Sequence, residues 1–472
     1  MKRLTDSEIK RRLIRGRNLE RLYAQARKRI EALETENRQL KQRIKELENQ
    51  NHDLNNRMET LSFQFEQIKI KVFGKKPTLE RESVREEKKD RDISSYRRSI
   101  PNQITETKTH PVNECAHCHG ILKGKTTRVF FEEDIPLPIQ KVVIKHEVEV
   151  GYCGVCRQQS SGIFIPSKKS ILGDNIKKYI CLLSVGNRLS HAQIQDHLRD
   201  VFSLDVSLGE IGNILTQEAN NLRPEYEALK QSVLAQTGVH YDETSWPVQK
   251  EEQGKFAWVA TGTDNHDTVF LLGHSRGKGN ISDIGTANLG ITDDYPAYKN
   301  TFAEHQLCWA HPKRKLRDLA ESQEFGERKK KQILKTYAQF SKLYHHIRTK
   351  TGEEISPLPV AGFTTYQKTS WQNLFNRIVD IHALDPTPLA KIKVALQRNK
   401  EKYFTFLKHP GIPLDNNKAE RALRPLVIKR KISFGSKTQR GAETTSILAS
   451  IILSLKWNDP ENWFPKYLKL GV

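Results

Sequence analysis

The sequence predicts a multidomain chain: an N-terminal coiled coil, a small zinc-binding β domain, a helical region resembling a helix-turn-helix, and an α/β core interrupted by an all-helical insertion. Three observations carry that expectation. Leucine recurs at every seventh residue from Leu33 to Leu61. Two CxxC pairs flank strand-like runs. Beyond Thr237, three short strands, a short helix and a fourth strand follow one another. At 472 residues the chain exceeds what one hydrophobic core organises. Its 78 lysines and arginines against 56 acids give a net charge of +22, which points to a polyanionic partner, most often nucleic acid.

Residues 1–74 open with a basic, helix-prone stretch and continue as the heptad. Leu33, Leu40, Leu47, Leu54 and Leu61 take the d positions, and Ile30, Asn37, Ile44, Asn51 and Met58 the a positions. Leucine at d with Ile or Asn at a is a leucine-zipper pattern, and a buried Asn at a fixes register in a parallel dimer. The competing reading is that this apolar face docks on the chain's own body. Residues 75–113 are charged, hold Pro77, Pro101 and Pro111, and lack the apolar residues for a core, so they read as a flexible linker.

Residues 114–170 supply Cys115 and Cys118, then Cys153 and Cys156: four thiolates, the set for a tetrahedral structural Zn²⁺. TTRVFF and KVVIKHEVEV between the pairs read as strands. His119 also completes a CxxCH haem-attachment pattern, but covalent haem requires export and would leave the second CxxC without a role. MKRLTDSEIKRRLIRGRN lacks the apolar centre of a secretory signal. The most apolar run, Ser446 to Leu455, is too short to span a bilayer. The expected location is therefore the cytoplasm, with no membrane partner.

Residues 171–236 carry two amphipathic segments on either side of SLDVS, with Ser207 placed to cap the second. This is a helix-turn-helix pattern, although plain helical packing produces the same one. Residues 237–319 form the first part of the core. VHYDETSWPV, KFAWVATGT and TVFLLGHS read as strands, KGNISDIGTA as a helix and LGITDDY as the fourth strand. That order opens a ribonuclease H-like fold, in which the first and fourth strands are neighbours and Asp242 faces Asp293. Glu243 follows Asp242 and should point to the opposite sheet face; Asp294 is a rival to Asp293.

HQLCWAHPKRKLRDLA then begins a basic helix with Lys313, Arg314, Lys315 and Arg317, a candidate contact for DNA backbone. Residues 320–405 form the helical insertion. Residues 406–472 return to the core. PLDNNKAERALR sets Glu420 in the first turns of a helix, with Asp415 or an Asn as its cap. Arg424, Lys429, Arg430 and Lys431 follow as further DNA-contact candidates. The closing helix, from Gly441 to Lys456, is apolar enough to pack under the sheet.

A lone carboxylate among arginines is usually a surface ion pair. Two carboxylates on neighbouring strands and a third on a helix instead hold two divalent cations about 4 Å apart, as phosphodiester chemistry requires. There is no GxxxxGK[ST], so nucleotide hydrolysis is not expected.

DET after a strand, TDxY farther on, CWAHxxRK, DNNxAERAxRP and SxxxRG resemble the DDE transposases of insertion-sequence family sixty-six, the TnpC type. IKIKVFGKK and the double CxxC are similar to that family's N-terminal parts, so the resemblance covers nearly the whole chain. It implies catalytic Asp242, Asp293 and Glu420 with two Mg²⁺ per site, cleavage of the element's ends and strand transfer into target DNA. It implies terminal inverted repeats and target DNA as partners, a homodimer or higher synaptic oligomer, and small accessory proteins of the same element. Asp294 stands where the family usually has Gly, which leaves Asp293 and Asp294 in competition. Cys308 and His311 match a C-x-x-H element and read as structural or DNA-positioning. Two other functions compete. A zinc-finger, leucine-zipper regulator would leave the three acids without a role; a metal-dependent nuclease would cut without rejoining.

Overall fold

A computed structural model of the chain describes residues 6–74, 172–250, 255–351, 363–409 and 411–471, with scattered residues between 104 and 161. It divides into two units, one of Met1–Thr78 with Cys308–Leu414 and the other of Leu79–Leu307 with Asp415–Val472.

In the first unit, α1 (Asp6–Phe73) runs unbroken for 68 residues, about 100 Å at 1.5 Å per residue. No proline interrupts it, and Asp6 and Glu8 in its first turn complement the helix dipole. It fits the coiled coil expected from the heptad. Leu33, Leu40, Ile44, Leu47, Leu54, Met58 and Leu61 are all exposed. The helix does touch its own chain, but with a different face. Both carboxylate oxygens of Glu59 accept from Lys329 Nζ, at 2.8 and 2.7 Å, and the Phe63 ring lies 5.9 Å from that of Phe325.

The other described elements of this unit are helical: α7 (Ala310–Glu321), α8 (Glu327–Thr351), α9 (Thr365–Val379), α10 (Thr387–Arg398) and α11 (Lys400–Tyr403). It starts at Cys308, earlier than residue 320. Trp309 organises its core. The indole lies between 5.4 and 5.8 Å from the rings of Phe340, Phe375, Tyr403 and Phe404, and its Nε1 donates to the Tyr403 carbonyl at 2.7 Å. Cys308 beside it is buried. Thr364 and Gln367 form a reciprocal capping box at the start of α9.

In the second unit, a short antiparallel ribbon pairs β1 (Val150–Tyr152) with β2 (Gln159–Ser161). Four helices follow: α2 (Asp174–Cys181), α3 (His191–Phe202), α4 (Leu208–Asn221) and α5 (Arg223–Leu234). Ser190 caps α3, and Ser207 caps α4 by accepting from Glu210 N–H at 3.1 Å. Ile194, Leu198, Ile211 and Ile214 turn into the core, giving the two amphipathic segments the sequence predicts.

The sheet contains β3 (Val239–Ser245), β4 (Phe256–Gly262), β5 (Thr268–His274), β6 (Leu289–Thr292) and β7 (Glu304–Leu307), in the order β5-β4-β3-β6-β7. The first three are antiparallel; β6 is parallel to β3, and β7 to β6. α6 (Gly279–Ile284) joins the two halves. This mixed sheet is compatible with a ribonuclease H-like core, and β3 and β6 are neighbours as expected. β7 escaped the sequence reading because Glu304, His305 and Gln306 mask its strand character. The chain then forms α12 (Asn417–Ser433), α13 (Gln439–Asn458) and α14 (Trp463–Leu468).

α13 corrects one expectation. It runs along the sheet's edge strand rather than beneath the sheet. Ser446, Ser450 and Ser454, one turn apart, accept from the backbone N–H groups of Leu272, Phe270 and Thr268 at 2.9, 2.8 and 2.9 Å. Among the described residues no strand lies beyond β5 to receive these N–H groups, so the serine ladder satisfies the open edge and closes it to other chains.

Candidate active site

Alternation along β3 separates its side chains into two sets. Tyr241 and Glu243 point towards the α6 side: the Tyr241 hydroxyl donates to the Gly285 carbonyl at 3.0 Å, and Glu243 accepts from the Tyr298 hydroxyl at 2.6 Å and from Arg276. His240 and Asp242 point the other way, towards α12. Glu243 thus lies on the opposite face, held at 3 % side-chain exposure by Arg276 and Tyr298.

α12 is tied to β3 at two points. Asn416, just before the helix, donates Nδ2 to the Tyr241 carbonyl at 2.7 Å and bonds His240 Nδ1 through Oδ1 at 2.9 Å. About four turns on, Arg430 donates to Thr244 Oγ1 at 3.2 Å and to the carbonyl and hydroxyl of Ser245. Asp242 lies between these anchors on the strand and Glu420 between them on the helix. Asp415 accepts from Asn417 N–H at 3.0 Å, so the acid forms the turn at the helix entrance and the first Asn is left to lock helix to sheet.

Asp293 follows the last residue of β6. The parallel register pairs Val239 with Gly290 and His240 with Ile291, so its continuation brings Asp242 level with Asp293. Asp293 Oδ1 accepts from Tyr295 N–H at 2.9 Å, which fixes its direction. Asp242 senses both partners. Its carboxyl is pushed up to about 8 by burial first, then by the charge of Glu243; the Glu243 N–H at 2.9 Å opposes this, and the charges of Asp293 and Glu420 raise it further.

Among the described residues, no three His, Cys, Asp or Glu side chains are gathered closely enough to hold a metal ion. The donor chemistry nevertheless fits a hard cation. All three ligand candidates are carboxylates, as Mg²⁺ prefers, and the crowding that keeps the Asp242 proton on is what a divalent charge relieves.

The other expected residues divide. Arg424 and Lys431 are exposed on α12. Lys429 is not available to DNA: it is 7 % exposed, and its ammonium donates to the Ser184 carbonyl at 2.7 Å, the Ser184 hydroxyl at 3.2 Å and the Leu189 carbonyl at 3.4 Å. The basic run of the sequence hides this because the helical period turns one lysine inward. In the first unit Lys315 and Arg317 are exposed, and Lys313 lies 4.9 Å over the Tyr344 ring. Arg317 is shared with Asp318 and Glu321, and Arg314 is half-buried. Cys115, Cys118 and Cys153 fall outside the described residues; Cys156 is exposed between β1 and β2. The sequence reading missed His240 and Asn416. The signal was there: a histidine inside an apolar strand and an Asn doublet at a helix start.

The sheet order, with one acid within β3, one just after β6 and one on the returning helix, is compatible with a ribonuclease H-like core. The family described as Transposase IS66 family matches residues 169–444, and the chain belongs to it. It is also similar to two Sinorhizobium fredii (strain NGR234) proteins, both described as uncharacterized. With y4hP it shares 21% identity over 394 residues, 76% of this chain and 70% of that protein. With y4jO it shares 24% over 166 residues, 35% of this chain and 47% of that protein. Membership supports a transposase-type function on DNA. No helix among the described residues is long and apolar enough to cross a membrane.

Proposed function

We propose that the chain is a DDE transposase that cleaves the ends of its own element and joins them to target DNA, with Asp242, Asp293 and Glu420 as the catalytic acids. The observation that carries this is that the charges of two carboxylates distant in sequence, Asp293 and Glu420, both act on the Asp242 carboxyl, with the β3–β6 register bringing Asp242 level with Asp293. When bound, two Mg²⁺ would supply an activated water or 3′-hydroxyl and charge neutralisation at the leaving oxygen. The protein's own part is positioning. The Glu243 N–H holds Asp242, the Tyr295 N–H holds Asp293, and the Asn416 and Arg430 ties hold the helix of Glu420. Phosphoryl transfer of this kind depends on alignment and electrostatics more than on a covalent enzyme intermediate.

The exposed heptad of α1 pairs two chains, and a synaptic complex of two DNA ends needs at least that dimer. Cys115, Cys118, Cys153 and Cys156 would hold a structural Zn²⁺, and the zinc unit with α3 and α4 would read the terminal repeats. The deciding experiment incubates the full chain with Mg²⁺, a plasmid target, and DNA ends taken from the flanks of this reading frame, supplied intact in one reaction and precleaved in another. Joined products support the transposase. Cutting of intact ends without joining identifies a nuclease, and binding without either reaction identifies a regulator.

A further inference from the structure

We propose that Phe434 is a stacking platform for an unpaired base of the bound DNA, and that the solvent face of α12 holds the phosphates of that strand. This rests on the transposase reading and specifies how the site takes its DNA.

Ala419, Ala422, Leu423, Leu426 and Lys429 turn one side of α12 inward. The opposite side exposes Arg421, Arg424, Ile428, Lys431 and Ile432, which span about 100° of arc at 100° per residue. Glu420 borders this stripe. The stripe ends at Phe434, 73 % exposed.

Phe434 is not a frayed end. Its backbone is left-handed, with φ 56° and ψ 27°, a conformation disfavoured for a bulky L residue. The chain on both sides enforces it. Ser433 Oγ donates to the Lys429 and Gly435 carbonyls, each at 3.0 Å. A Cβ at Gly435 would collide with the Pro247 carbonyl. Ser436 N–H donates to that carbonyl at 3.0 Å, Gln249 N–H to the Ser436 carbonyl at 3.0 Å, and Trp246 Nε1 to Ser436 Oγ at 3.0 Å. A left-handed residue is a common way to end a helix, but it is seldom a bulky aromatic, and strain that the surroundings over-determine clusters at functional sites.

Charge complementarity selects the occupant. Interleaved arginine, lysine and apolar side chains ending in an aromatic match a strand that offers phosphates and π-faces together. Paired duplex hides its base faces by stacking, so the ring requires a base that is already unpaired. Phe434 is about 21 Å along the helix from Glu420, which puts that base several nucleotides from the phosphate at the acids.

The test uses the full chain carrying Asp242→Asn, so that nothing is cut, and two duplexes from the flanks of the reading frame. One is blunt; the other has a short single-stranded overhang containing 2-aminopurine. Binding of the overhang duplex should quench 2-aminopurine. Phe434→Ala should restore the fluorescence and weaken overhang binding about 10-fold, leaving the blunt duplex unaffected. Phe434→Trp should keep both properties. Phe434→Gly relieves the strained backbone, so it should fold at least as stably as the parent and still lose the quench. The inference is overturned if Phe434→Ala binds and quenches like the parent, or if its only effect is on self-association in the ultracentrifuge, which makes the ring a protein contact. If the parent binds neither duplex, the transposase reading falls with it; overhang binding indifferent to Phe434 removes this inference alone.

Discussion

His240 Nδ1 and Asn416 Oδ1 lie 2.9 Å apart in the buried seam between β3 and α12. Burial pushes the His240 imidazole down to about 3, so it stays neutral and donates Nδ1–H to the amide oxygen, whose own NH₂ is spent on the Tyr241 carbonyl. Asn416→Ala orphans both groups and should cost about 1–3 kcal/mol in urea unfolding. The pH dependence follows. The unfolded histidine binds a proton near about 6.5 and the folded one only near 3. Between these values the unfolded state holds more protons, so stability rises with pH. The contribution is complete above about 6.5 and is lost as pH falls towards 3. His240→Gln should flatten that slope.

Asp242 has the opposite sign. Its folded carboxyl titrates at about 8 and its unfolded one near about 3.9. The folded state holds the extra proton between them, so the metal-free protein should lose stability as pH rises through that window. Asp242→Asn should remove the loss and raise the metal-free Tm at pH 8 by a few degrees, while strand transfer drops on the order of 10³-fold or more. Mg²⁺ should raise the Tm of the parent and leave the variant unmoved.

Lys429 and Lys431 are two residues apart and should behave as different kinds of residue. Lys429→Met leaves the Ser184 and Leu189 carbonyls without their donor and should cost about 1–3 kcal/mol, with an unchanged salt dependence of DNA binding. Lys431→Ala should leave stability alone and lower the slope of log K against log salt by about 1.

Asp293→Asn should reduce end cleavage on the order of 10³-fold, and Asp294→Asn should stay within about threefold of the parent. Arg276 provides an intermediate case. Its guanidinium grips Glu243 at 2.8 Å and lies 4.0 Å over the Tyr295 ring, so it braces the segments that carry Asp242 and Asp293. Arg276→Ala should lower kcat about 10²-fold by misplacing both acids, with DNA affinity retained.

The parts legible in the sequence were those written in a local period or motif. The heptad of Leu33 to Leu61, the alternation at Asp242 and Glu243, and the cap at Ser207 each depend on neighbours within a few residues. The order of strands and helix, matched to a ribonuclease H-like fold, also sufficed to place β3 beside β6. What stayed hidden depended on partners far along the chain. The serines of α13 look like interruptions in an apolar helix until β5 lies against them. Lys429 looks like part of a basic run until Ser184 receives it. Asn416 looks like a cap until His240 claims it. The proposal of Asp293 rather than Asp294 draws on the Tyr295 N–H and on the register with β3, neither of which a TDDY motif contains.

The most direct measurement is a calorimetric titration of Mn²⁺ into the zinc-saturated full chain and into Asp242→Asn, Asp293→Asn and Glu420→Gln, each first shown to be folded. The account predicts two bound ions per parent chain and loss or marked weakening of binding in every one of the three variants. Unaltered binding in all three, or a parent that binds none even with end DNA present, would contradict it.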